Sequence, residues 1–301
     1  MTSFPTLTVT NTNDTGAGSL RQVITDANLT VAPDRIVFNI SGGGVKTITP
    51  LGALPTITSP VVIDGLSQPG ATCANPLIVL NGVSAGTFGN GFIINATAEI
   101  TGLVINNFNA AAMQFNGGDG NILKCNHIGI DASGLNSAPN GSGVSFQNAG
   151  NNIGGGTNGD GNLITSTIAL RFQNSDNNTV QGNIFGLDKN GQVGALTASN
   201  SVAIDFINSD NNLIGGTSAA ARNVISGNTN QGFSLVNASG NLILNNFIGL
   251  NAAGTTILPN GQGRNFYGKF HRKLHRKFNH DGQRHLRQRQ KRHRACSRFK
   301  Q

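Results

Sequence analysis

Between Ala112 and Asn251, short segments of alternating apolar and polar residues recur, each closed by a turn rich in Asn, Ser, Asp and Gly. Alternation with period two marks a strand with one buried face. Aligned on one another, Phe115, Phe146, Phe172, Phe206 and Leu235 fall in one column, at spacings of 31, 26, 34 and 29 residues. Six residues after each stands an asparagine: Asn121, Asn152, Asn178, Asn212 and Asn241. Each unit reads as a strand, a turn, a second short strand and usually a third, as in Ala203 to Ile207, Leu213 to Gly216 and Asn223 to Asn228. Strands this short exclude water only by stacking on the next unit. The pattern predicts an all-β fold, a right-handed parallel β-helix or solenoid. An antiparallel sandwich would leave no fixed column of inward Phe and turn Asn.

Equivalent positions of successive coils lie about 4.8 Å apart, so Phe stacks on Phe inside, and turn asparagines adopt left-handed dihedrals and form an amide ladder. The coils alternate in kind. NILKCNHIGID (121–131), NTVQGNIFGLD (178–188) and NLILNNFIGLN (241–251) are of one kind, NNIGGGT (151–157) and NNLIGGT (211–217) of the other. Upstream, Ser19 and Gln22 form a capping-box pattern ahead of Leu20, Val23, Ile24 and Ala27 on one helical face. A short helix there would cap the first coil. Strands are expected at 35–40, 46–49, 60–65 and 76–82. The chain divides into a cap with its first coils (1–90), regular coils (91–263) and a tail (264–301).

Composition agrees with turns repeated coil after coil: 41 Gly and 41 Asn, against no Trp, one Tyr and two Met. That excludes a helical bundle, and no apolar run is long enough for a membrane-spanning helix. The net charge of +8 first suggests a nucleic-acid partner. Residues 1–263, however, carry 7 Lys+Arg and 12 Asp+Glu, net −5, while residues 264–301 carry 14 and 1, net +13. Nucleic-acid binding is therefore expected only through the tail. The tail interrupts the repeat in phase, so it reads as a disordered basic low-complexity segment or as the product of a shifted reading frame. The chain itself is expected to be part of a longer one. Cys73, Cys125 and Cys296 are too few for a disulfide scaffold and lack metal-ligand spacing, and Cys125 reads as a turn thiol without a partner. No signal peptide is visible in MTSFPTLTVT.

TVTNTNDTGAGSLRQVITDAN, LPTITSPVVIDG and the repeated N-x-IGGT and GN-x-x-G elements resemble those of bacterial right-handed parallel β-helix repeat proteins, a pectate-lyase-like superfold. The resemblance covers roughly residues 6–263. It implies a secreted or cell-surface scaffold, adhesin or carbohydrate-binding module without catalysis of its own, whose partner is a polysaccharide or cell-surface glycan. The alternative is a polysaccharide lyase, hydrolase or epimerase, since the superfold hosts all of these. Its known enzyme patterns, a calcium-binding carboxylate cluster beside a basic residue or clustered Asp with His-Gly, are not found.

Two sets of residues carry the candidate chemistry, and no catalytic residue is assigned. The alternation places Gln114, Ser145, Arg171, Asp205 and Ser234 in one exposed row, with Arg171 and Asp205 on adjacent coils as an ion pair or sugar contact. The turn column Asp119, Gly150, Asp176, Asp210 and Ser239 brings Asp176 and Asp210 to within about 5 Å, the strand spacing. That suits turn formation, Ca²⁺ chelation or a retaining glycosidase pair. No other cofactor is implied. Asp131, Asp188 and Asn251 recur only on every second coil, about 9.6 Å apart, and read as turn residues. His127 shares its column with Ile184 and Phe247, which points to packing.

Overall fold

The computed structural model describes residues 4–154, 159–192, 201–261 and 268–273. It is nearly all β, with one α-helix and two short 3-10 turns among the described residues. A six-stranded sheet and a 17-stranded sheet run along the molecule. Each regular unit gives one strand to the first and two short ones to the second. Every strand pairing but one is parallel and in register from unit to unit, which is consistent with a solenoid. One hydrophobic cluster extends from Val9 to Ile248.

The column of Phe115, Phe146, Phe172, Phe206 and Leu235 is in register across the six-stranded sheet. Successive Phe rings are stacked, with centroids 4.6, 5.4 and 5.4 Å apart. Strand spacing sets that distance, and all four rings are fully buried. At the start, Ser19 caps the helix Leu20–Ala27 by accepting the Gln22 N–H, and the helix buries Leu20, Val23, Ile24 and Ala27 over the first coil. The capping box is half formed, because the Gln22 amide donates to Asp26 instead of turning back to Ser19. Strands at Asp34–Phe38, Lys46–Ile48, Val61–Asp64 and Ile78–Asn81 fall where alternation places them.

Amide ladders run through the turns. Asn178 donates its backbone and side-chain N–H to Asn212 Oδ1, and Asn212 does the same to Asn241. A second buried ladder, which the six-residue spacing does not reveal, links Asn126, Asn162, Asn183, Asn223 and Asn246. The oxygens of Asn162, Asn183, Asn223 and Asn246 each accept two N–H groups from the preceding coil, that of Asn126 accepts the Leu103 N–H, and each side chain also donates to a main-chain carbonyl. This satisfies amides that would otherwise be costly to bury.

Three expectations need correction. Register places Asn151, not Asn152, opposite Asn121, because the turn after Phe146 is one residue shorter than its neighbours. Cys125 has a partner: it forms a disulfide with Cys73, 52 residues away, across a Cα–Cα distance of 4.6 Å. It does occupy a left-handed turn position, at φ 56°. Within the tail, the described residues Gly268–Lys273 are not disordered but form a strand antiparallel to Leu242–Ile248. Its main-chain groups pair with the last coil, and pairing of this kind does not require the repeat's own sequence. The rest of the tail lies outside the described residues.

Candidate functional site

The row Gln114, Ser145, Arg171, Asp205 and Ser234 is in register on the outer face of the six-stranded sheet. Arg171 Nε donates to Asp205 Oδ2 at 3.0 Å. The row is not uniformly exposed, however. The Asp205 side chain is 8% exposed and that of Arg171 34%, so the guanidinium shelters the carboxylate. Ser145 is also buried. The geometry is an ion pair on a sheet face, and such pairs are worth about 0–1 kcal/mol.

The turn column forms a regular capping series. Asp119 Oδ1 accepts the Gly150 N–H at 2.7 Å, Asp176 Oδ1 that of Asp210 at 2.7 Å, and Asp210 Oδ1 that of Ser239 at 2.5 Å. Asp176 and Asp210 thus do not face each other as a carboxylate pair; each reaches to the next coil's backbone. A second series runs beside it, with Gly120 N–H donating to Gly150 O, Asn177 N–H to Asp210 O and Asn211 N–H to Ser239 O. Gly120, Asn177, Asn211 and Gly240 occupy the same left-handed position.

The coil of Ser142–Gln147 breaks both series. It lacks a residue at that left-handed position, and Gly150 replaces the carboxylate. Asp176 on the next coil therefore has neither the acceptor nor the donor that ladder members receive. Its N–H and C=O make no hydrogen bond among the described residues. The shortened turn opens a polar notch of about 600 Å³, lined by Asp119, Gly120, Asn148, Gly150, Asn174 and Asp176 among others. The doublet Asn151–Asn152 concealed the deletion, because counting six residues from Phe146 still lands on an asparagine.

Asp131, Asp188 and Asn251 close loops, as expected. Asp131 accepts the Leu135 and Asn136 N–H groups, Asp188 those of Asn190 and Gln192, and Asn251 those of Thr255 and Thr256. Burial raises the Asp131 carboxyl, but bonds from Ser133, Asn136 and the backbone outweigh it and hold it below the ordinary value. His127 is buried in a row with Val104 and Leu163, and its Nδ1 has no partner. Desolvation first, and the Lys189 charge second, lower its pKa to about 4.

No group of three or more His, Cys, Asp or Glu among the described residues is placed to hold a metal ion, and none of the described helices is long and apolar enough to cross a membrane. Compared with known proteins, the chain matches no family model and no curated protein, so the functional reading rests on the geometry.

Proposed function

We propose that the chain is a right-handed parallel β-helix of the pectate-lyase-like kind, serving as an extracellular or cell-surface scaffold or adhesin that binds carbohydrate without transforming it. The observation that carries this reading is the capping series of Asp119, Asp176 and Asp210. Carboxylates tied to backbone N–H groups coil after coil build a surface, whereas a catalytic pair must converge on one bond. The Cys73–Cys125 bond supports an oxidising compartment, because disulfides persist outside the cytosol. A glycan array probed with the full chain, followed by analysis of bound glycans for shortened or unsaturated products, tests the proposal. Retention of intact glycan is expected. Release of products that disappears in Asp176→Ala or Asp210→Ala would overturn the non-catalytic reading.

A further inference from the structure

We propose that the notch at Gly150 is the saccharide subsite of this surface and that it takes a neutral, vicinally hydroxylated sugar. The inference deepens the carbohydrate-binding reading and rests on it. Where the coils of Phe115, Phe172 and Phe206 supply an Asp and a left-handed residue, this coil supplies neither, so two main-chain groups of Asp176 are left open beside a cavity. One is a donor and the other an acceptor. The Asp176 carbonyl lies 3.7 Å from the position a Cβ on Gly150 would occupy, and Asp119 Oδ1 lies 3.1 Å from it. Any side chain at residue 150 would therefore fill the space between them. Asp119 uses Oδ1 on the Gly150 N–H, and no hydrogen bond engages its Oδ2.

The donor-and-acceptor set determines the ligand class. A metal ion would use the carbonyl and carboxylates, but the Asp176 N–H would point a donor at it. An anion would use the N–H but meet the carboxylates of Asp119 and Asp176, about 9.6 Å apart over two strand spacings. A hydroxyl both donates and accepts. Two adjacent hydroxyls can therefore accept from the Asp176 N–H and donate to its carbonyl and to the free carboxylate oxygen of Asp119. A uronate would bring a third negative charge, so neutral saccharides are preferred.

The test is a calorimetric titration of the full chain with cellohexaose, maltohexaose and xylohexaose, and with trigalacturonate in the presence and absence of Ca²⁺. The decisive variant repairs the ladder by combining Gly150→Asp with one asparagine inserted after position 150. It should fold at least as stably as the parent and bind a neutral hexasaccharide at least tenfold more weakly. Asp119→Asn keeps an acceptor for the Gly150 N–H but puts an amide NH₂ in place of the free oxygen, and should weaken binding comparably. Asn211→Gly, at the same turn position outside the notch, should bind as the parent does. Equal binding by the parent and the repaired chain would overturn the notch while leaving the carbohydrate reading intact. Binding of trigalacturonate alone, or only with Ca²⁺, would overturn the ligand class. No binding of any saccharide would overturn both proposals.

Discussion

Inside the coils, Phe115, Phe146, Phe172 and Phe206 repeat one side chain. On the outer face of the 17-stranded sheet, the row Val104, His127, Leu163, Ile184, Val224 and Phe247 holds a different side chain on each successive coil. Both are in register at the same spacing, so spacing alone does not demand identity. The difference lies in what covers them. The inner column meets the opposite wall of the same coil, and four successive rings fill it, with Ile94 and Leu235 at its two ends. The outer row is covered by loops that contribute Ile130, Leu187, Leu250 and Leu258. These loops are tied to one another and lie against the row beneath. Lys189 N–H reaches Gly134 O on the loop two coils away, and the Arg222 guanidinium sits 4.2 Å from the centre of the Phe247 ring. The loop-covered row tolerates a histidine, whereas the inner column takes only large apolar side chains.

The comparison breaks first at the inner column. Phe172→Ala should cost about 3–5 kcal/mol in urea unfolding, since no loop can collapse into the space. A loss near 1 kcal/mol would mean that the wall yields after all. Asn183→Leu removes the acceptor of both Asn162 N–H groups and should cost about 3 kcal/mol. Reduction of Cys73–Cys125 should lower stability by about 2–4 kcal/mol, measured by unfolding with and without dithiothreitol.

The outer row gives a smaller effect, and one that depends on pH. The pKa of His127 is depressed in the folded chain, so the unfolded chain binds more protons below the ordinary value of 6.5. Stability present above that pH is lost as pH falls toward about 4. From pH 7 to pH 5 the loss should be about 2 kcal/mol. His127→Leu, which copies Leu163, should remove that share of the acid sensitivity and change little at pH 7. An unaltered pH profile would show that the loops already admit water to the ring. The smallest change is expected at Asp205→Asn, about 1 kcal/mol or less, because Arg171 keeps a hydrogen-bond acceptor.

Much of this was legible because repetition multiplies weak signals. The Phe column and the Arg171–Asp205 pair follow from period and register, and the capping role of Ser19 from its spacing to Gln22. Three features did not follow, each for a local reason. The disulfide joins Cys73, in an irregular early coil, to Cys125, and no column relates the two. The second asparagine ladder is led by residues that precede strands of only two residues at His127–Ile128, Leu163–Ile164, Ile184–Phe185 and Val224–Ile225, too short to display a period. The notch arises from one missing residue, and a doubled asparagine erased its trace from the count.

The Cys73–Cys125 bond also bears on how such a molecule carries load. Pulled from its ends, a stack of coils pays out chain one turn at a time, but the stretch from Cys73 to Cys125, 52 positions apart, is closed into a loop that tension cannot straighten. About 180 Å of contour length is thereby withheld. An oxidised molecule tethering two surfaces would reach its limit sooner than a reduced one, so the oxidation state of one bond sets its maximum extension.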